Sequence, residues 1–320
     1  MGRYVAKRLL QLVPILLGIT LISFLLMRVA GGDAVETMLE SQGVAVSQEV
    51  IDAKRHELGL DRPFLEQYAS WLGGVLRGDM GTSYISGKDV WATFVSKLPA
   101  TMLLTLTSIV ATVVVSVPLG ILAATRQNRL SDYLIRFVSF VGNSLPNFFI
   151  ALLLVYVFAI RLGWLPAISR NVGGTGAVNW AGIVLPTATL AIAMSCKYTR
   201  QIRAAVLDEL RKPYVAGARA RGIPEWRILL RSVLRCVLVT LVTLLALSVG
   251  DLLGGTAIVE TIFMWDGVGK LAVDSISMRD YPVILAYVMW MAIIYVVVNL
   301  AADLLYRWLD PRVRLEEQRP

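Results

Sequence analysis

The chain has 320 residues, of which 56% are hydrophobic and only 17% charged, against roughly 25% charged in soluble domains. The apolar residues gather in runs of bilayer-spanning length, about 20 residues each, which excludes an ordinary soluble protein. The net charge of +8 does not imply nucleic-acid binding, because the basic residues flank apolar runs, where they set topology. Two cysteines, Cys196 and Cys236, and one histidine, His56, supply neither a disulfide framework nor a structural zinc site.

The first run, about Leu9–Met27, follows Arg3, Lys7 and Arg8. It is longer than a signal-peptide core, so a retained helix is expected, with Pro14 tolerated inside it. Residues 28–97 are polar, with ten acids against seven bases. They read as a small ordered subdomain outside the membrane, including a helix over Ser47–Leu58 capped by Ser47. The second run is about Ala100–Ala124. The third, Phe137–Ile160, is interrupted by Asn143, Pro146 and Asn147, a pattern that lines cavities or helix interfaces. A loop with Trp164, Pro166 and the patch Gly173–Gly176 leads to a short fourth run, Ile183–Cys196, extending into Lys197–Thr199. The segment Lys197–Arg235 carries ten Lys/Arg against three acids. The fifth and sixth runs are Cys236–Ile258 and Pro282–Leu305, separated by an outer segment.

This arrangement places 20 of the 31 Lys and Arg on one side and 11 on the other. The positive-inside rule then puts both termini and the 197–235 segment in the cytoplasm. The expected organisation is a cytoplasmic N-terminus and first helix (1–27), an extracytoplasmic subdomain (28–97), a transmembrane core (98–306) containing the 197–235 loop, and a cytoplasmic tail (307–320).

Within that loop, Ile202, Val206, Leu210 and Tyr214 recur at helical spacing. Ala216, Ala218 and Ala220 supply small side chains, Gly222 suits a left-handed helix end, and Pro224 suits the first turn of a following helix. Such an element could dock in a partner's groove or lie in lipid headgroups; periodicity leaves both open.

Tyr214–Arg235 resembles the coupling loop of binding-protein-dependent ABC importer permeases, with Ala218 and Gly222 at that motif's Ala and Gly. The whole chain is similar to the peptide/nickel permease family. Leu58-Gly-Leu-Asp-Arg-Pro63 and Gly78-Asp-Met-Gly-Thr-Ser83 match its outer subdomain, and Leu98-Pro-Ala-Thr101 the start of its second helix. Val259–Gly269, Arg279-Asp-Tyr-Pro282 and Leu309-Asp-Pro-Arg312 match its C-terminal third. Gly217 stands where the motif usually has Glu, and Asp266 follows Trp265 where Pro is usual.

The resemblance implies an all-α polytopic permease of type I importer fold with about six transmembrane helices, in the bacterial inner membrane. Its implied partners are a second permease subunit in a heterodimer, two ATP-binding subunits carrying ATP and Mg, and an extracytoplasmic substrate-binding protein. The chain itself would bind no cofactor. Coupling residues would be Tyr214, Ala216, Ala218, Arg219, Gly222, Ile223 and Pro224. Gly250-Asp-Leu-Leu-Gly-Gly-Thr256 looks most like the nickel branch, so nickel or a nickel chelate is the first substrate reading and di- or oligopeptides the alternative.

Candidate pathway residues are Asp251, a carboxylate within an apolar run, together with Glu260, Asn143 and Asn147. Gly250 and Gly254 also form a small-xxx-small pair that suits close helix packing. His56 and Met264 are weak metal-ligand candidates; Met194, Met289 and Met291 read better as packing. Gly267-Val-Gly-Lys270 fails as a phosphate loop, because Met264 and Leu271 stand where Gly and Ser/Thr are needed. No nucleophile constellation suggests an enzyme, and no inverted repeat suggests a secondary transporter.

Overall fold

A computed structural model of the chain describes residues 2–29, 34–41, 47–169 and 180–309. The glycine patch 173–176 and the motif at 309–312 therefore lie wholly or largely outside the described residues. Among those described, the structure is helical, with one isolated bridge, Thr82 to Asp89. The long helices are α1 (Gly2–Val29), α5 (Val90–Thr125), α8 (Trp180–Leu210), α11 (Leu234–Ile262) and α13 (Tyr281–Leu309). The short ones are α2 (Ala34–Ser41), α3 (Gln48–Glu57), α4 (Phe64–Leu76), α6 (Leu130–Ser144), α7 (Asn147–Leu154), α9 (Pro213–Ala220), α10 (Glu225–Arg227) and α12 (Val268–Ser277).

Four helices are long and apolar enough to cross a membrane, and α6 with α7 form a pair bent by 105°. Pro146 causes that break. It lacks an N–H and biases Leu145 toward extended backbone, and Leu145 sits at φ −83, ψ 133. Beyond α7 the backbone tightens its register into a π segment, Val155–Arg161.

A bent pair can be one broken crossing or a re-entrant hairpin, and the packing of α5 on α8 decides between them. The Thr107 hydroxyl meets the Thr187 hydroxyl at 2.9 Å, the Thr112 hydroxyl reaches Met194 Sδ at 3.9 Å, and Gly120 abuts Ile202. The residue numbers rise together, so α5 and α8 run parallel. Parallel neighbours must be separated by an odd number of crossings, so α6–α7 crosses once. The 29-residue α11 carries the apolar run 236–258; at 1.5 Å per residue it is about 43 Å long, more than a hydrocarbon core of about 30 Å. Sequence and structure together give six crossings.

Close approach of α5 to α8 depends on small residues. Thr105, Ser108, Thr112 and Ser116 are all buried and recur every three or four residues, and Gly120 continues the stripe. In a bilayer, such stripes let backbones approach where lipid supplies no hydrophobic drive for association. The fourth apolar run extends much further than Cys196: α8 continues to Leu210. Ser47 precedes α3, as expected, but makes no side-chain capping bond.

The chain divides into two compact units, residues 1–101 with 266–297, and residues 102–265 with 298–320. In the first, Met80, Val90, Val283, Ala286 and Met289 form a buried cluster against Trp71 and Trp290. The buried carboxylate of Asp280 accepts the Ser83 hydroxyl at 2.5 Å and the Tyr84 N–H at 3.0 Å, tying the loop before α5 to the start of α13. Lys97 pairs with Asp266, and the Thr101 hydroxyl accepts the Val268 N–H at 2.9 Å. In the second unit, Tyr198, Ile202 and Val206 of α8 form the spine of a cluster that takes in Val233, Val237 and Leu241.

Candidate functional site

The 197–235 segment folds as the end of α8, then α9, a glycine turn, α10 and a π segment, Ile228–Val233. Lys212 precedes α9 in extended backbone, and Pro213 occupies its first position, where a missing N–H costs nothing. Helix α9 buries Val215 and Ala218 in the Tyr198–Val206 cluster. Its other face is open: Tyr214, Ala216, Gly217, Arg219 and Ala220 are exposed. Ala216, Ala218 and Ala220 thus do not form one strip. Residues two apart point to opposite sides of a helix, so Ala218 seats the helix on its own chain while Ala216 and Ala220 face outward.

The turn is a Schellman motif. The Gly222 N–H bonds the Arg219 carbonyl at 2.9 Å, and the Ile223 N–H bonds the Ala218 carbonyl at 3.2 Å. Gly222 holds φ +73, a left-handed conformation that costs other residues roughly 1–2 kcal/mol. Ile223 turns back onto the same cluster as Ala218, the apolar contact that usually accompanies this motif. Pro224 precedes α10 in extended backbone, one position earlier than the first turn.

Charges fix both ends of the element. The Tyr214 hydroxyl donates to Glu209 Oε2 at 2.8 Å, and Glu209 also pairs with Lys212. Burial and then that bond to Glu209 push the Tyr214 hydroxyl above its ordinary range. Arg219 bridges the turn to Glu225, with Nη2 to Oε2 at 3.3 Å. The hydrogen bond from Arg219 holds the Glu225 carboxyl below the usual range. Exposed Trp226 and Leu230, with Arg227 lying over the Trp226 ring at 5.3 Å, extend the outward surface.

One turn along α8, Arg203 grips Asp132 bidentately, Nε to Oδ1 and Nη2 to Oδ2 both at 2.7 Å. Asp132 is fully buried in the first turn of α6 and also accepts the Asn128 N–H at 3.0 Å. The element that carries α9 is therefore tied directly to the broken α6–α7 span. Sequence reading missed this pair. Its only signals were an acid beginning a helix and a base in an apolar-periodic stretch, 71 residues apart.

The pathway candidates are scattered. Asn143 is exposed in the last turn of α6, and Asn147 is half-buried at the start of α7. Glu260 is fully buried near the end of α11, a helix against which α7 packs. Asp251 lies within α11, and its side chain is outside the described residues. His56 is exposed and bonds Asp61 through Nδ1 at 2.6 Å; that bond holds the Asp61 carboxyl below its usual range. Among the described residues no three His, Cys, Asp or Glu side chains group as a metal site. Met264 occupies a left-handed helix end at φ +54. Gly267 begins α12 in extended backbone, and Lys270 pairs with Asp274.

Residues 116–315 match the family model of the binding-protein-dependent transport system inner membrane component, and residues 1–105 match that of its N-terminal region. The oligopeptide transport system permease protein AppB of Bacillus subtilis (strain 168) is 39% identical, over 98% of this chain and 99% of its own length. The glutathione transport system permease protein GsiC of Escherichia coli (strain K12) is 36% identical over the same shares. In solved structures, a chain of the MetNI methionine ABC transporter in inward-facing conformations superposes with TM-score 0.55 over 68% of this chain and 96% of its own. At 17% identity, that likeness concerns the fold.

Proposed function

The chain belongs to the family of binding-protein-dependent transport system inner membrane components, the permease subunits of ABC importers, and from that premise we propose that it carries short peptides across the bacterial inner membrane. The observation that carries the transport reading is α9: a short, capped, outward-facing helix seated on α8 and tied through Arg203 and Asp132 to a broken span. ATP-binding subunits and a substrate-binding protein are the partners of this family. We take α9 and the Gly222 turn as the surface that an ATP-binding subunit grips, with both termini on its side of the membrane. A second, similar permease completes the pathway. ATP shifts the complex between two states only through differential binding to them.

For the cargo, the names of the relatives favour peptides over nickel. One is an oligopeptide permease and the other a permease for glutathione, itself a tripeptide. The nickel reading rested on Gly250–Thr256 alone, and with no metal-ligand cluster among the described residues nothing adds to it.

Co-expression with its ATP-binding and substrate-binding partners, reconstitution in liposomes and parallel assays of peptide and nickel uptake test both levels. Peptide uptake requiring ATP and the binding protein is the expected result; nickel uptake alone would return the cargo to the metal branch. Gly222→Leu should insert and assemble but uncouple ATP hydrolysis from uptake. A Cβ at Gly222 meets nothing within 4 Å, so the effect comes from the backbone that the cap demands. Wild-type coupling in that variant would remove α9 from the mechanism.

A further inference from the structure

The unit formed by residues 1–101 and 266–297 contains two cavities, of 460 and 480 Å³, that share Phe24, Leu60, Gln67 and Tyr281. Both lie in the range of small-molecule pockets, about 300–1,000 Å³. The first has aromatic walls from Phe24, Trp71, Tyr84 and Tyr281 and a polar lining of both signs.

Three of its groups have unused bonding capacity. Arg62 lines the cavity and has no ion pair among the described residues, while its neighbour Asp61 is engaged by His56. Asp79 gives one oxygen, Oδ1, to the Gly81 N–H at 2.8 Å, and its second oxygen has no bond. The Trp71 ring lines the cavity, and its indole N–H is buried without an acceptor, a deficit worth about 1–3 kcal/mol.

Simple ions fit poorly. An anion drawn to Arg62 would meet Asp79 and Glu57 on the same lining, and a cation drawn to Asp79 would meet Arg62. An apolar ligand would leave the indole N–H unsatisfied. A ligand with a cation at one end, an anion at the other and a carbonyl between them suits all three groups.

We propose that this cavity binds a short zwitterionic peptide. Its α-carboxylate would sit on Arg62, which suits planar bidentate pairing, and its α-ammonium on Asp79. A backbone carbonyl would accept the Trp71 N–H, and side chains would lie against the aromatic walls. The inference rests on the peptide reading of the cargo but concerns a site apart from the membrane-spanning core of the second unit.

The test is calorimetric titration of the full chain in lipid nanodiscs with trialanine, trialanine amide and N-acetyl-trialanine. Trialanine should bind saturably at one site, and each blocked form on the order of tenfold more weakly, the equivalent of one charge-assisted bond. Arg62→Gln should erase the preference for acid over amide but keep that for free over acetylated amine; Asp79→Asn should do the reverse. Trp71→Phe should weaken all three probes severalfold and keep both preferences, a pattern that misfolding would not produce. No saturable binding of trialanine, equal affinity for the three probes, or a preference unchanged by its matching variant would overturn the site. Peptide uptake by the assembled importer without these binding patterns would sink the site and leave the cargo reading standing. The patterns without uptake would do the opposite.

Discussion

Gly142→Ala tests how α6 meets α8. A Cβ on Gly142 would lie 2.4 Å from Cys196 Sγ and 3.6 Å from Cys196 Cβ. Non-bonded heavy atoms prefer about 3.5–4.0 Å, so one sulfur atom makes the whole clash. Cys196 is buried on a helix, where one χ1 well is closed by the preceding turn, and the sulfur has little room to swing away. The expected cost is that of overpacking, about 1–3 kcal/mol. Cys196→Ala removes the sulfur and leaves an ordinary 3.6 Å contact, so the double variant should recover most of the loss. Gly120→Ala is the control. Its Cβ would meet Ile202 Cγ2 at 2.6 Å, Ile202 Cβ at 2.8 Å and the Thr199 carbonyl at 3.1 Å, and Ile202→Ala removes only the first. That pair should show little rescue. Thermal unfolding in one detergent at one scan rate reads the cycle. At about 2–4 °C per kcal/mol for a chain approaching this size, Gly142→Ala should fall by roughly 2–10 °C, and the double variant should melt within about 2 °C of Cys196→Ala. A neutral Gly142→Ala, or a double variant no better than the single, would refute the packing of α6 on α8 described above.

Asp132→Asn leaves Arg203 half-buried without its bidentate partner, which should cost about 3–5 kcal/mol, seen as a lower unfolding temperature; Asp132→Leu with Arg203→Met should recover much of it, since the pair is removed together. Burial, reinforced by the nearby Asp280 carboxylate and by Tyr281, pushes the Tyr84 hydroxyl up to about 12. A raised folded-state value means stability fully present below the unfolded value of about 10 and lost as pH rises through about 12, by about 2–3 kcal/mol in all. Tyr84→Phe should flatten that part of the stability–pH curve, and an unchanged slope would clear Tyr84 of the effect. Arg279 holds φ +55 at the end of α12, so Arg279→Gly should relieve left-handed strain of about 1–2 kcal/mol, less the glycine's extra chain entropy of about 0.5–1 kcal/mol, and raise the unfolding temperature slightly.

What could be read in advance divides along physical lines. The six crossings were legible because each is a local run, and the break at Pro146 because proline acts on its own backbone. The left-handed turn at Gly222 was legible for the same reason. The extent of α8 was not. Lys197, Arg200 and Arg203 read as the place where a chain leaves the bilayer, yet the helix runs on to Leu210, and Arg203 is compensated by Asp132, a residue no local window contains.

The same distinction separates the two halves of the candidate site. The outward face of α9 follows from a motif of consecutive residues, and only the inward turn of Ala218 had to come from the structure. The small-residue stripe at Thr105, Ser108, Thr112, Ser116 and Gly120 was written in the sequence at helical spacing but hidden by an apolar average that scores hydroxyls as noise. Arg62, Trp71 and Asp79 carry no pattern at all in sequence; they become a candidate site only when α4 and the loop after it fold onto one cavity. Local rules therefore identify where this chain can be gripped, whereas what it can hold is a property of contacts between segments. That is why the family was readable from motifs while the cargo has to be settled by binding measurements on Arg62, Asp79 and Trp71.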